Sequence, residues 1–468
     1  MNLFEILVAT ASREGAQPAL TDLRDGRTLR YRDVVDGAAR AADCLRQAGV
    51  RPGQRLAIVA DNTIGHVVVA FGALASGACL VPLAPTLRPA EIDAVHRDID
   101  VNAVVRTAGP DDPPQLQWID AGREPHAGFT DLDAAFVRFT SGTTADRKGV
   151  ILAHDDVAAR VAAVDRVLGL SSDDRILWTL PLAYHFAVTI VGYVRAGAHV
   201  LLAHETLPAA LVDAAVRERA TVLYGSPVQF ERMARAGRRR GGLSTRLALS
   251  TAAPLDSAVA EAFEAAFDTP LGQAYGIIEA GLPCINTRAE GAPATSVGPA
   301  VPGYEVAVVD DRGRPVAAGV SGEVRVRGPG LFSGYYRPWQ ARAEVLRDGW
   351  LATGDVGRLD GAAALVLLGR TKSTIIVAGM KVFPEEVEAC LNRVQGVAES
   401  RVFGFRHPRL GEVPYAEIVI ERGAPAPDAA ALAKACAREL SSYKVPVEFR
   451  VVDALPKTAG GKLLRRPG

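Results

Sequence analysis

Between residues 136 and 157 the sequence FVRFTSGTTADRKGVILAHDDV gathers side chains suited to holding a polyphosphate. Thr140, Ser141, Thr143 and Thr144 set four hydroxyls around Gly142, and Lys148 with Gly149 closes the turn. Backbone N–H groups exposed at such a turn, together with hydroxyls and an ammonium, make a cradle for the phosphates of ATP. The order differs from the Walker A pattern G-x-x-x-x-G-K-S/T, because the lysine and the second glycine follow the hydroxyls. A Ser/Thr/Gly turn between strands is by itself only a turn. Its chemistry depends on what the rest of the chain brings to it.

The elements that must hold this loop are a strand-like run at 136–139 and an apolar run at 150–152. Upstream, apolar residues recur at helical spacing over 31–45, residues 55–60 read as a buried strand, 65–76 as an apolar helix and 77–83 as a second strand. Strand, helix and strand in close succession predict a parallel sheet covered on both faces. Residues 107–130 are rich in Pro and Gly and read as a surface connection. Downstream, helices at 155–168, 186–196, 207–219 and 258–267 alternate with strands at 175–180, 198–203, 221–224, 246–250 and 271–275. From about residue 296 short runs at 304–310, 322–327, 350–355 and 361–369, separated by turns, predict a small antiparallel barrel or sheet. A further α/β pattern fills the last hundred residues, with helices at 384–392 and 428–441 and strands at 399–405, 415–421 and 447–452. The predicted division is a core over 1–369 and a small domain over 370–468.

Composition narrows the classes of function. With 468 residues, 49% of them hydrophobic, the chain can bury a large core. Lys+Arg and Asp+Glu are equal at 53 each, so no global field favours nucleic acid or an anionic membrane. Five scattered cysteines without C-x-x-C or zinc spacing predict reduced thiols. The N-terminus has Glu5 in its apolar run and no basic segment, so it does not read as a signal peptide, and the longest apolar runs fall short of a membrane span. A cytoplasmic protein is expected.

Six stretches occur together in order: FTSGTTADRKGV, LSTAAPL (249–255), AYGIIEA (274–280), GWLATGD (349–355), GRTKSTIIVAGMKVFPEEVE (369–388) and LPKTAGGKLLRR (455–466). At these separations they resemble the adenylate-forming superfamily of acyl- and aryl-CoA synthetases, adenylation domains and beetle luciferases, over nearly the whole chain. The resemblance implies an α/β fold: a large N-terminal part of two αβα layers plus a small β-barrel, followed by a mobile α/β C-terminal domain. It also implies a reaction in two steps. A carboxylate attacks the α-phosphorus of ATP to give an acyl adenylate and pyrophosphate, and a thiol then displaces AMP. The first step brings two anions together, so Mg²⁺ and fixed cations are expected where charge accumulates.

Carried over residue by residue, the resemblance assigns the β- and γ-phosphates to the loop of Thr140, Ser141, Gly142, Thr143, Thr144 and Lys148, with Thr144 also near the metal. Tyr275 would stack on adenine beside Gly276, and Ala252 and Ala253 would let the backbone approach the same base. Glu279 would bind Mg²⁺, Asp355 would accept both ribose hydroxyls, and Arg370 would contact ribose or phosphate. Lys372 falls at the hinge, Gly379 on the loop lining the phosphopantetheine tunnel, and Lys462 at the catalytic lysine of adenylation. Three positions depart from the pattern. Ala145 replaces a glycine, Arg147 a proline, and Ile278 a threonine placed to hydrogen-bond the α-phosphate or the carboxylate. Isoleucine cannot donate.

The acyl pocket would begin at Pro181-Leu182-Ala183-Tyr184-His185-Phe186, with His185 at a position often His in CoA ligases. Amino-acid-activating relatives usually carry Phe-Asp here, so a carboxylate without an α-amine is expected. His185 can equally be a satisfied core residue. Tyr224, Gly225, Ser226, Thr251, Ile277, Ile278 and Leu282 would line the remaining wall, an apolar surface suited to an aromatic or a medium-sized alicyclic or aliphatic acid. Coenzyme A is the expected acceptor, with the phosphopantetheine of a carrier protein as the alternative. No nucleic-acid or membrane partner is expected, and the chain would act as a monomer or homodimer. A reading of another class, a degenerate member that only binds nucleotide or acyl adenylate, is motivated by Ala145, Arg147 and Ile278. Retention of Glu279, Asp355, Arg370 and Lys462 speaks against it.

Overall fold

A computed structural model of the protein describes residues 1–59, 62–84, 87–107, 109–139, 148–204, 207–237, 242–378, 380–457 and 463. The chain forms two compact units, Met1–Val306 with Val326–Leu351, and Ala307–Arg325 with Ala352–Gly468. Among the described residues no helix is long and apolar enough to cross a membrane.

The first unit is built on two eight-stranded sheets. One has six parallel strands at its centre, in the spatial order Leu271–Ile277, Leu247–Ser250, Val222–Gly225, Arg175–Trp178, His199–Leu202 and Pro18–Asp22, with an antiparallel strand at each edge. The central strands are apolar on both faces, which is what a sheet covered by helices on each side requires. The other sheet places Ala134–Phe139 beside Cys79–Leu83, Arg55–Val59 and Ala103–Arg106, all parallel. On its other side Ala134–Phe139 pairs antiparallel with Gly149–Ala153, so the candidate phosphate loop lies between two adjacent strands in the sequence.

Three local expectations are corrected. Within 107–130, taken as a connection, Gln115–Trp118 forms an edge strand antiparallel to Ala103–Arg106. Alternation over only four residues is too short a signal to stand out from the surrounding prolines. The helix expected at 186–196 is instead a short helix Leu182–His185, a π-helical turn Phe186–Ile190 and a helix Val191–Ala196. The small barrel is an open four-stranded sheet, in the order Glu305–Val309, Gly322–Arg327, Leu351–Leu359 and Leu365–Arg370. Short alternating strands fix an antiparallel sheet but not its closure, which depends on how the edge strands meet.

In the second unit a five-stranded sheet carries the C-terminal part of the chain. A long hairpin of Val397–His407 and Gly411–Ile420 lies beside Ile375–Val377, and Glu448–Val451 pairs with it in parallel. Helices Pro384–Leu391 and Ala429–Glu439 cover one core containing Val387, Leu391, Val402, Ile418 and Leu432. Arg370, at the start of the expected small domain, ends strand Leu365–Arg370 inside this unit.

Candidate active site

The turn that carries Glu279 is held from three sides. Strands Leu271–Ile277 and Gly281–Asn286 form a hairpin, leaving Ile278, Glu279 and Ala280 as its loop, with Gly281 at φ +77°. A glycine in the left-handed region after a short hairpin loop is the expected way to close it. Arg160, on the helix His154–Leu168 and 1% exposed, reaches under this loop. Its Nη1 donates to the Ile278 carbonyl at 2.9 Å, its Nη2 to the Glu279 carbonyl at 3.4 Å, and its Nε to the Gly330 carbonyl at 3.0 Å. Nη2 also donates to Gly330. The packing is close enough that a Cβ on Gly281 would lie 2.9 Å from Arg160 Cδ, and one on Gly330 would lie 2.2 Å from the Asp156 carbonyl oxygen. The Phe332 N–H donates to the Glu279 carbonyl at 2.7 Å.

The Glu279 side chain is engaged as well. The Tyr335 hydroxyl donates to its Oε1 at 3.1 Å. Tyr335 sits in the short strand Gly334–Tyr335, which pairs with Val150 and Ile151 just past the candidate phosphate loop. Lys148 Nζ lies 4.3 Å from the centre of the Tyr335 ring, a cation–π contact at the base of that loop. Burial and the adjoining carboxylate both push the Tyr335 hydroxyl pKa up, so it acts as a donor throughout the ordinary pH range. Lys148 and Glu279, far apart in sequence, are therefore brought together on one tyrosine. Thr140, Ser141, Gly142, Thr143 and Thr144 lie outside the described residues, as do Ala145, Arg147, Gly379 and Lys462.

Among the described residues no cluster of three or more His, Cys, Asp or Glu side chains is poised to hold a metal. A single part-buried carboxylate fits Mg²⁺, which keeps waters and binds through one or two carboxylates plus substrate phosphates rather than in an all-protein cage.

The segment expected to open the acyl pocket lies against an aromatic wall. The His185 ring meets Trp178 edge-on at 5.8 Å and Tyr224 at 6.4 Å, and Trp178 stacks on Tyr224 at 5.9 Å. The π-helical turn begins directly after His185, and the Thr189 hydroxyl donates to the His185 carbonyl at 3.0 Å. Such turns insert one residue and re-aim the side chains around them. The Thr251 hydroxyl donates to the Ala274 carbonyl at 3.2 Å beneath this wall, and burial pushes the Tyr224 hydroxyl up to about 12. The Trp178 indole N–H is buried and has no hydrogen-bond partner among the described residues. Gly225 ends the strand beside it and Ser226 caps the following helix, where its backbone N–H donates to Gln229 at 2.8 Å.

The remaining predicted residues divide by position. Tyr275 and Leu282 are buried on the two strands of the Glu279 hairpin, with Gly276 exposed and Ile277 and Ile278 half-buried between them. Ala252 and Ala253 are exposed in the turn after Leu247–Ser250, and Ala252 has φ +72°, a conformation that favours glycine. In the second unit Asp355 and Arg370 are directly opposed on adjacent strands, with Arg370 Nε 3.0 Å from the Asp355 carboxylate. Lys372 is exposed in a single helical turn two residues on.

Sequence reasoning missed Arg160, Tyr335, Trp178 and Arg138. The signal available for the two arginines was polarity inside runs otherwise apolar, since Arg138 interrupts a buried strand and Arg160 a helix face that is buried on either side of it.

Two models of one family match the chain: "AMP-binding enzyme" over residues 7–336 and "AMP-binding enzyme C-terminal domain" over residues 386–462. A feruloyl-CoA synthase from Amycolatopsis is 32% identical over 97% of this chain and 96% of its own length. An indoleacetate–CoA ligase from Aromatoleum aromaticum is 31% identical over 96% of this chain and 94% of its own length. The crystal structure of ATP-bound MatB from Rhodopseudomonas palustris superposes with a TM-score of 0.88 at 26% identity, covering 99% of this chain and 97% of that one. The matches run along both halves of the sequence, and the chain belongs to the AMP-binding enzyme family, within the adenylate-forming superfamily of acyl-CoA ligases.

Proposed function

We propose that this protein is an ATP-dependent acid–thiol ligase that activates an aromatic or medium-sized alicyclic acid lacking an α-amine and transfers it to coenzyme A. The observation that carries this reading is the fixed arrangement of Lys148, Tyr335 and Glu279 at the foot of the phosphate loop. An ammonium and a carboxylate held by the same ring suit the binding of a polyphosphate with its Mg²⁺, which would offset the negative charge that builds up as pyrophosphate leaves. Glu279, with Thr144, would hold that ion. Thr140, Ser141, Gly142, Thr143 and Lys148 would take the β- and γ-phosphates. Tyr275, Gly276, Ala252 and Ala253 would border the adenine, Asp355 and Arg370 the ribose.

Lys462 would neutralise charge between the attacking carboxylate and the α-phosphate, reached by rotation of the C-terminal part about Lys372. Gly379 would then line the path of the thiol arm. His185, Tyr224, Gly225, Thr251, Ile277 and Leu282 would enclose the acyl group. The partnerless indole N–H of Trp178 favours an acid with an oxygen substituent within reach of that wall, since a buried donor left unpaired costs about 1–3 kcal/mol. The five free cysteines suit a reducing cytoplasm.

The test is acid-dependent pyrophosphate release over a panel of hydroxyaryl, aryl, alicyclic, aliphatic and amino acids, with ATP and Mg²⁺, followed by thioester analysis with coenzyme A and with a holo carrier protein. Turnover with hydroxyaryl or alicyclic acids and thioester on coenzyme A is expected. Preference for an amino acid, or thioester only on the carrier protein, would replace the corresponding half of the proposal. Lys462→Ala is expected to abolish pyrophosphate release while sparing thioester formation from supplied acyl adenylate.

A further inference from the structure

Arg138 is a buried charge in the first unit. It lies on the strand Ala134–Phe139, two residues before the phosphate loop, and is only 6% exposed. Alternation along the strand puts it on the same face as Phe136, whose ring meets Phe186, so it points toward the 182–190 segment. Its Nη2 donates to the Tyr184 carbonyl, immediately before His185. Its Nη1 is buried and has no hydrogen-bond partner among the described residues. The charges of Arg160 and Glu279 both act on it, and burial lowers its pKa to about 10, which leaves it a cation at neutral pH.

A buried guanidinium nitrogen without a partner is expensive unless something arrives to bond it. In the neighbouring hairpin loop residue 278 is isoleucine, which offers no side-chain donor at the position where the family resemblance implies one. We propose that Arg138 supplies this donor, its free Nη1 binding the reacting carboxylate or an α-phosphate oxygen between the Tyr184 carbonyl and Glu279. Unlike a threonine hydroxyl, this donor carries full charge, so it stabilises the anion that develops as the carboxylate attacks phosphorus. Nη2, tied to the Tyr184 carbonyl, fixes the plane of the guanidinium and joins the acyl segment to the nucleotide site. This role rests on the acyl-adenylate reaction proposed above.

The test compares the native protein with Arg138→Gln, Ile278→Thr and the double variant in both half-reactions: acid-dependent pyrophosphate release, and thioester formation from supplied acyl adenylate. Arg138→Gln should lower kcat for pyrophosphate release about 100-fold, with a much smaller change in KM for ATP and in the second half-reaction. Ile278→Thr should raise pyrophosphate release by a larger factor in the Arg138→Gln background than alone, because the hydroxyl then replaces the missing donor. Arg138→Lys, which keeps the charge, should fall between native and Gln. Equal loss in both half-reactions would make Arg138 a structural anchor of the Tyr184 segment and overturn the proposal. So would the same factor from Ile278→Thr in both backgrounds. Native activity with no loss in Arg138→Gln would overturn this role alone, whereas a native protein releasing no pyrophosphate with any acid would overturn the function and this role together.

Discussion

Replacing Arg160 by methionine tests whether the Glu279 turn is held in place by its surroundings or keeps its shape unaided. The guanidinium makes four hydrogen bonds to three backbone carbonyls and is almost fully buried. Methionine matches the stem but donates nothing. The Glu279 carbonyl keeps the Phe332 N–H, while those of Ile278 and Gly330 lose their Arg160 donors. Two part-buried acceptors deprived of these donors at about 1 kcal/mol each give a loss of about 2 kcal/mol, reduced somewhat because a charge no longer has to be buried. Urea denaturation reads this loss, and pyrophosphate release reads its consequence, since moving the proposed metal-binding carboxylate of Glu279 by an ångström would cost about 100-fold in rate. Arg160→Lys should resemble the methionine variant, because one ammonium cannot span three carbonyls in a plane. A methionine variant within about 0.5 kcal/mol of native stability and of native turnover would refute the clamp.

Other consequences are equally direct. Ala252→Gly should stabilise the protein by about 0.5–1 kcal/mol, the left-handed penalty of an L side chain less the unfolded freedom of glycine, read as a higher Tm; an unchanged or lower Tm would contradict it. His199 is buried against Thr21, its Nε2 2.7 Å from the threonine hydroxyl, and burial lowers its pKa to about 4. The unfolded chain binds that proton more readily, so the stabilisation is complete above about pH 6.5 and is lost as pH falls toward 4, by about 3 kcal/mol in all. His199→Gln should flatten this part of the stability profile, and an unchanged slope would contradict the assignment. If Asp355 accepts the ribose hydroxyls as proposed, Asp355→Ala should raise KM for ATP about 10–100-fold; an unchanged value would leave Asp355 its ion pair with Arg370 and no part in ATP binding.

Periodicity carried the architecture well where elements are long or buried. The expected helix at 155–168 is His154–Leu168, and the expected strand at 55–60 is Arg55–Val59. Three features depend on contacts that no local pattern encodes. The π-helical turn after His185 packs against the helix His154–Leu168, a contact distant in sequence. The edge strand Gln115–Trp118 exists because Ala103–Arg106 offers it a partner. The four-stranded sheet stays open because closure is a property of distant edges.

At the site, Lys148 and Glu279 could be singled out as candidates because their types and order match a family, and so could Asp355 and Arg370, which the structure pairs with each other in the second unit. Tyr335 could not, because its role is to meet Lys148 and Glu279 in space from a strand assembled late in the chain. Arg138 and Arg160 were visible only as charges out of place in buried elements, a signal that marks a residue without saying what it bonds.

The central claim is that this site makes an acyl adenylate. Rapid quench of the native protein with ATP, Mg²⁺ and an acid it turns over, without coenzyme A, followed by mass spectrometry, tests it most directly. Acyl-AMP and pyrophosphate should form in equal amounts, with the acyl group passing to coenzyme A on its addition and little adenylate formed by Glu279→Gln. Nucleotide binding without acyl-AMP from any acid, or the appearance of ADP and phosphate in place of AMP and pyrophosphate, would contradict it.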